Sequence, residues 1–394
     1  MIRIGIYGGT FNPPHLGHVA AAKHALKVLK LDKLLVIPDR IAPHKCMPEG
    51  SPAPEQRLRM LRAALDGAEK IEVSDLELHR EGPSYTYETV AQVRRLYPQA
   101  EIVLLMGTDM FLCFWQWKNP ELILKEASLA VFYRGEKGEK QAIGEEKARM
   151  EAAGHHVTLV ENPVIDISST TLRRMLVFRC ADPFLPAGVG DYIREKGLYG
   201  TGRDYRNLPM DELEQVVVSL LKPNRVAHVL GCRDTAKRLA RRWGADETDA
   251  ARAGLLHDIT KALDGPLQLT LCQAYGTILD SFSQKNPKTL HALTGSIVAE
   301  RIFGENEAVV SAIRSHTTGK ANMNTLEKII YVADYMEPNR DFPGVEQLRC
   351  RADTDLDKAL KLGLEMTLDM LKEQGREISP ESGEALRYLC EQGV

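Results

Sequence analysis

The sequence predicts two domains of unlike class, an α/β domain built on a doubly wound parallel sheet followed by an all-α helical domain. Three observations carry that expectation. The chain has 394 residues, about twice the length at which a single hydrophobic core usually divides. Up to about residue 200, short apolar runs alternate with amphipathic helical patterns, as expected of strands joined by crossover helices. Beyond Pro209 strand signals nearly vanish and apolar residues recur at helical spacing.

In order, Ile2–Tyr7, Leu34–Ile37, Ile71–Val73, Ile102–Met106 and Leu129–Tyr133 read as strands, and stretches near 16–30, 55–66, 86–97 and 169–178 as helices. Sheets of this kind bind ligands at the carboxyl ends of their strands, so the loops just after the strands matter most. One of them, Pro38–Pro54, carries five prolines and no periodicity and reads as a long functional loop. The charged stretch Gly135–Glu151 reads as a solvated loop and helix face. From Tyr199 to Pro209 the text YGTGRDYRNLP breaks into Gly, Asn, Asp and Pro. The boundary is placed there, with residues 1–200 as the first domain, 201–207 as linker and 208–394 as the second domain. In the second, Glu212–Leu221, Val226–Trp243, Ala250–Ile259, Thr294–Phe303, Ala308–Ser315, Leu326–Met336 and Leu356–Leu371 show helical periodicity.

Composition narrows the function classes. With 44% hydrophobic and 27% charged residues, the chain is neither disordered nor collagenous. Net charge is −3, and division at residue 200 leaves 26 Lys+Arg against 25 Asp+Glu, then 25 against 29. Neither half is a basic nucleic-acid arm or an acidic tail, so no nucleic-acid partner is expected. Seven scattered cysteines without a C-x-x-C suggest neither a disulfide framework nor a zinc finger. No leader or membrane-span pattern stands out, and a cytoplasmic protein without a membrane partner is expected.

Directly after the first strand comes GGTFNPPHLGH, Gly8–His18. Paired glycines let backbone N–H groups approach a ligand closely, and a helix N-terminus favours anions. Gly8, Gly9, Thr10 and Phe11 therefore form a candidate phosphate cradle. His15 and His18, three apart, share a helix face and can donate to one phosphate group. The loop is neither a G-x-x-x-x-G-K-[ST] nor a G-x-G-x-x-G, and a Gly-Gly turn with incidental histidines is the bland alternative. In ISSTTLRRM, Ile167–Met175, Ser168, Ser169 or Thr170 can cap a helix, which is compatible with holding phosphate at the same N–H groups. Arg173, one turn further, either reaches the phosphates or is a surface charge.

Together these residues resemble the nucleotidyltransferase superfamily, of Rossmann-like fold, marked by H-x-G-H and I-S-S-T-x-[IL]-R. More narrowly the half resembles the bacterial nicotinate-mononucleotide adenylyltransferases. That likeness rests on GGTFNPPHLGH, PHK (Pro43–Lys45), PSYTYET (Pro83–Thr89), GTDMFLCFWQWK (Gly107–Lys118) and ISSTTLR, whose order covers nearly all of residues 1–200. The resemblance implies adenylyl transfer from ATP, with Mg²⁺, to nicotinate mononucleotide, giving deamido-NAD and pyrophosphate. It implies that His15, His18 and Arg173 serve the α-phosphate, that Lys45, Thr86 and Asp109 lie beside the nicotinate nucleotide, and that Trp117 stacks on its pyridine. Trp115 and Trp117 point to opposite faces if the segment is extended, and Trp115 is expected to pack. The chemistry agrees: a phosphomonoester has its second pKa near about 6 and needs no general base. Alignment and charge stabilisation are the work left to the protein.

Only four of the eleven histidines lie beyond residue 200: His228, His257, His291 and His316. Each occupies its own helical or helix-end segment, Asp258 follows His257, and Asp334 sits in the apolar text IIYVADYMEP. A single histidine in a helix is usually structural. Four with two aspartates suit a divalent metal held inside a helical bundle.

This half resembles the HD superfamily of metal-dependent phosphohydrolases, whose order H…HD…H…H…D is matched by His228, His257, Asp258, His291, His316 and Asp334. AGLLHDITK, LHALTGSIVAERIFG, IRSHTTGK and LEKIIYVADYMEPNR narrow the resemblance, over about residues 208–390, to the bacterial branch that hydrolyses diadenosine tetraphosphate symmetrically to two ADP. Ala292 departs from the glycine expected after the histidine. The resemblance implies one or two metals, iron or manganese, with Asp258 bridging a pair at the catalytic centre. Such metals lower the pKa of water and supply the attacking hydroxide. Lys261, Lys320 and Arg340 are candidates for neutralising the polyphosphate, or are solvated surface cations. HD ligands specify chemistry and not base. A guanosine alarmone or deoxynucleotide substrate, or a regulatory nucleotide-binding module, therefore stays open for this half, as does a homo-oligomer.

Overall fold

The computed structural model describes residues 2–43, 47–133, 138–161, 165 and 167–394, and the chain divides into two compact units, Met1–Arg203 and Asp204–Val394. The first contains β1 (Arg3–Gly9), β2 (Lys33–Pro38), β3 (Ile71–Val73), β4 (Glu101–Gly107), β5 (Ser128–Tyr133) and β6 (Val157–Glu161). They form one sheet in the order β3-β2-β1-β4-β5-β6, with every pairing parallel. Ile6 of β1 lies opposite Leu35 on one side and Leu104 on the other. Alternate residues enter two cores: Leu35, Ile37, Leu104 and Leu129 on one face, Leu34, Val36, Leu105 and Ala130 on the other. Helices cover both faces, which is why the central strands are continuous apolar runs.

One sequence expectation is corrected here. β6 was not anticipated, because its text VTLVE buries only Val157 and Val160 at the sheet edge. The helix face expected in the charged stretch belongs to the helix Glu139–Ala152, whose inner side buries Ile143, Glu146 and Met150. The winding changes direction between β1 and β4, and such a switch point opens a crevice at the strands' carboxyl ends. The Gly8–His18 loop leaves β1 there, and the segment carrying Asp109 and Trp117 leaves β4 beside it.

Among its described residues the second unit contains helices and no strand. The helix Gly265–Ala274 lies outside the anticipated segments, since its core text LQLTL alternates like a strand. Asp264 specifies the helix instead, accepting the Leu267 N–H at 3.1 Å, with Pro266 in the first turn. The helices Pro223–Trp243 and Glu247–Leu256 approach so closely that a Cβ at Gly254 would lie 2.8 Å from Arg233 Cα. Only glycine permits that contact, which brings His257 at the end of one helix to His228 in the middle of the other. No helix of the described residues is long and apolar enough to cross a membrane.

Candidate active sites

At the end of β1, a Cβ on Gly8 would meet nothing within 4 Å, so the backbone there faces space that a ligand can enter. Gly17 is different: a Cβ would lie 3.0 Å from His15 Nδ1 and 3.3 Å from the Ile165 carbonyl. A side chain at the glycine of H-x-G-H would therefore press on the neighbouring imidazole. His15 is the N-cap of the helix Leu16–Val28, and its backbone N–H donates to His18 Nδ1 at 3.2 Å. A neutral His18 must then carry its proton on Nε2, as a donor. The two rings lie 3.6 Å apart between centroids, and the Phe11 ring meets His18 edge-on at 5.0 Å.

Side chains from remote segments clamp this loop. Arg57, 1% exposed, donates to the Thr10 carbonyl at 2.7 Å and to Asp39 Oδ1 at 3.1 Å. Thr10 Oγ1 donates to Asp39 Oδ2 at 2.7 Å. From the helix Ser169–Val177, Ser169 Oγ donates to the Pro13 carbonyl at 2.9 Å and Arg173 Nη1 to the Asn12 carbonyl at 2.7 Å. Ser168 caps that helix, accepting the Thr171 N–H at 3.1 Å. Thr170 Oγ1 accepts from Arg173 Nη2 at 3.0 Å. His15, His18, Ser169 and Arg173 are thereby gathered around one helix N-terminus, where anions are favoured.

Beyond β4, Asp109 lies in the helix Thr108–Leu112. Trp117 follows the 3₁₀ turn Phe114–Gln116, half-buried and packed on Phe114 at 5.4 Å. Its indole N–H is buried without a hydrogen-bond partner among the described residues. Thr86 opens the helix Thr86–Leu96, and Lys45 lies outside the described residues. The tryptophan segment is a turn and not extended. Trp115 is 39% exposed, meets Phe114 edge-on at 5.8 Å and donates to the buried Glu146 Oε1 at 2.7 Å.

In the second unit the four histidines converge on one carboxylate. Asp258 Oδ2 lies 3.7 Å from both His228 Nε2 and His257 Nε2. Its other oxygen, Oδ1, lies 3.4 Å from His291 Nε2 and 3.9 Å from His316 Nε2. Asp334 Oδ1 joins the first pair, 3.1 Å from His228 Nε2. Each imidazole is oriented through its other nitrogen. His257 Nδ1 pairs with the Gly254 carbonyl at 2.8 Å, His291 Nδ1 with Lys288 at 2.9 Å and His316 Nδ1 with Ile313 at 2.6 Å. His228 Nδ1 pairs instead with Glu337 Oε1 at 3.1 Å. An Nδ1–H given to an acceptor leaves Nε2 as a lone pair, the form that ligates metals. Two sets fit a metal ion, His228–His257–Asp258 and Asp258–His291–His316, and they share Asp258.

Electrostatics favour the same state. Burial holds the His257 and His291 imidazoles well below their usual pKa and lowers His316 to about 4. Burial alone would raise Asp334, but the His228 hydrogen bond and nearby His257 and Arg340 pull it well below the usual carboxylate range. Neutral imidazoles beside ionised carboxylates are a divalent-metal donor set.

Residues 6–175 match the Cytidylyltransferase-like family and residues 225–339 the HD domain family. A Geobacillus thermodenitrificans protein named "Probable nicotinate-nucleotide adenylyltransferase" is 37% identical over 201 residues, which is 51% of this chain and 87% of that protein. A Halalkalibacterium halodurans protein named "Bis(5'-nucleosyl)-tetraphosphatase, symmetrical" is 40% identical over 174 residues, 43% of this chain and 90% of its own. The chain belongs to both families, one in each half. A Mycoplasma pneumoniae relative spans the two: "Probable nicotinate-nucleotide adenylyltransferase/Ap4A hydrolase" is 28% identical over 337 residues, 85% of this chain and 88% of its own.

In the tetraphosphatase unit the cations named from sequence separate. Lys261 Nζ meets His291 Nε2 at 2.8 Å and lies 3.8 Å from Asp258 Oδ1; burial lowers its pKa to about 8. Arg340 donates to Asp334 Oδ1 at 2.6 Å. Lys320 is not brought to this cluster by any described contact. It pairs with the buried Glu327 at 2.6 Å and with Ser311 Oγ at 3.2 Å. Two residues escaped sequence reasoning: Arg225, whose Nη2 meets Asp258 Oδ2, and Glu337. Arg225 lies three residues before His228 and so on its helix face, a signal available in the sequence. In the adenylyltransferase unit the missed residue is Arg57, a charge set among the buried Leu58, Met60 and Leu61 of its helix.

Proposed function

We propose that the chain is a bifunctional nucleotide enzyme. Its adenylyltransferase unit moves the adenylyl group of ATP, with Mg²⁺, onto nicotinate mononucleotide, giving deamido-NAD and pyrophosphate. Its tetraphosphatase unit hydrolyses diadenosine tetraphosphate to two ADP with one or two divalent metals, iron or manganese. The observation that carries the reading is the presence in one chain of a histidine-bearing helix N-terminus at a sheet's switch point and a carboxylate set between two imidazole pairs.

In the first reaction a phosphate oxygen of the mononucleotide attacks the α-phosphorus of ATP. A new P–O bond forms, and the bond to the bridging oxygen breaks with its electron pair leaving in pyrophosphate. Because the second phosphate pKa is near about 6, no proton has to be removed. His18 donates from Nε2, and His15, Arg173 and the helix N–H groups share the developing charge, with Gly8, Gly9, Thr10, Phe11, Ser168, Ser169 and Thr170 shaping the cradle. Trp117, Thr86, Asp109 and Lys45 take the nicotinate nucleotide.

In the second reaction water is added across the central P–O–P bond, and each half leaves as ADP. When bound, the metals supply Lewis acidity and an activated water. His228, His257, Asp258, His291, His316 and Asp334 would hold them, Asp258 being common to both sets. Lys261, Arg340 and Arg225 neutralise the polyphosphate.

The two activities are expected to separate by mutation. His18→Ala abolishes adenylyl transfer and spares phosphohydrolysis, while Asp258→Ala does the reverse. Loss of both activities from either variant in folded protein would overturn independent sites. Chromatography of the diadenosine tetraphosphate products tests the cut, since AMP plus ATP rejects the symmetric reading. Comparing kcat/KM for nicotinate and nicotinamide mononucleotides tests the other substrate.

A further inference from the structure

Tyr199 lies in text that reads as linker, shortly before the second unit begins at Asp204. Its backbone is in the left-handed region at φ 56°, between Gly197 at 60° and Gly200 at 80°, a conformation uncommon for a bulky residue. That turn directs the side chain back into the adenylyltransferase unit, where the Tyr199 hydroxyl donates to Asn12 Oδ1 at 2.8 Å.

Asn12 is 3% exposed and sits inside the phosphate loop. Its carbonyl accepts from Arg173 Nη1 at 2.7 Å, and its Nδ2 donates to Ser51 Oγ at 3.0 Å. Ser51 Oγ in turn donates to the Pro48 carbonyl at 2.7 Å. An amide can face either way, and here the Pro48 carbonyl decides which, because it can only accept and so takes the Ser51 hydroxyl proton. Ser51 therefore accepts from Nδ2, Oδ1 is left facing Tyr199, and the Tyr199 hydroxyl donates to it and anchors the far end of the chain that runs through Asn12 and Ser51 to Pro48. Burial raises the phenol's pKa, so the donor persists at working pH.

We infer that Tyr199 is a positioning residue for adenylyl transfer, acting through Asn12 to hold the phosphate loop and the Arg173 guanidinium in register. The inference rests on the adenylyl-transfer reading. It adds that the catalytic unit runs into the start of the Tyr199–Pro209 text, and that the turn at Tyr199 shapes the α-phosphate site. A hydroxyl that only stabilised the fold would affect melting and leave kcat unchanged. One that positions Arg173 affects the transition state, because a misplaced guanidinium loses contact with charge that develops only there.

The test is Tyr199→Phe in the full chain, with diadenosine tetraphosphate hydrolysis as an internal control. Adenylyl-transfer kcat is expected to fall about tenfold, the equivalent of one hydrogen bond's worth of transition-state free energy, with KM for ATP and nicotinate mononucleotide within about twofold. In a double-mutant cycle, Tyr199→Phe on an Asn12→Ala background is expected to cost little more, since the route runs through Asn12. An unchanged kcat, or losses that add in full with Asn12→Ala, overturns the positioning role while the adenylyl-transfer reading stands. A wild-type chain without adenylyl transfer overturns both. Loss of both activities in the variant points to the fold and also overturns the role.

Discussion

Replacing Glu337 with glutamine is expected to weaken metal binding in the tetraphosphatase unit by about 10- to 100-fold, with the adenylyltransferase unaffected. The reason begins with where each ligand sits in its helix. His257 and His316 are C-caps, and their Nδ1 atoms reach the carbonyls three residues back, in the last turn, where helices leave carbonyls unpaired. His291 uses Lys288 in the preceding 3₁₀ turn in the same way. His228 is in the interior of Pro223–Trp243, where the carbonyls are committed to the helix. Its Nδ1 partner must come from another element, and Glu337 supplies it at 3.1 Å.

Glu337 is 1% exposed, and its second oxygen accepts from Asn339 N and Nδ2 at 2.8 Å each. That oxygen lies against Gly231, where a Cβ would overlap it. A glutamine must either face its NH₂ group towards the two Asn339 donors or turn it towards the His228 Nδ1–H. Either way a buried donor loses its acceptor, and a charge-assisted bond becomes a neutral one. The cost is about 1.5–3 kcal/mol, which matches the expected range of affinity. The assay is calorimetric titration of chelator-stripped full chain with Mn²⁺, with metal content by mass spectrometry. Affinity within about twofold of wild type at unchanged stoichiometry would refute the reasoning.

Two further outcomes are expected. Gly17→Ala places a Cβ 3.0 Å from His15 Nδ1; overpacking of this kind costs about 1–3 kcal/mol, and the displaced ring should lower adenylyl-transfer kcat at least about tenfold. Undiminished kcat at a lowered melting temperature would show that the ring's position is not critical. The metal-free chain should lose stability in acid. His316 titrates near 4 when folded but near about 6.5 when unfolded, so in between the unfolded state binds the extra proton. The contribution is whole above about pH 6.5, and it is lost as pH falls through the folded value, up to about 3 kcal/mol for this residue. Urea denaturation of metal-free wild type and His316→Gln from pH 7 to 4 should give a shallower dependence for the variant, and equal slopes would refute the assignment.

The fold was legible where burial is uniform. The central strands are apolar on both faces and announce themselves, whereas β6 at the sheet edge is half-buried and too short to stand out. The strand-like alternation of Gly265–Ala274 was overridden by its Asp264 cap and Pro266, a local signal that periodicity alone passes over. Tyr199 shows the limit of composition. Glycines around it read as linker, yet in the structure they provide the left-handed turn that returns its ring to the unit.

Residues that carry chemistry could be named from sequence because their types are rare and their local spacing is fixed. The partners that hold them in place could not, because a clamp is selected by space. Ser169 bonds to Pro13 across 156 positions and Tyr199 to Asn12 across 187, and nothing in either local text marks the pairing. The same distinction explains how a chain of net charge −3 suits polyanionic substrates. Arg225, Lys261 and Arg340 are far apart in sequence, and each contacts a carboxylate or imidazole of the metal set. Their charge is concentrated by folding at one point and offset elsewhere, so bulk composition carries no trace of it. It follows that removing any one of the three should alter substrate affinity far more than its share of the net charge suggests.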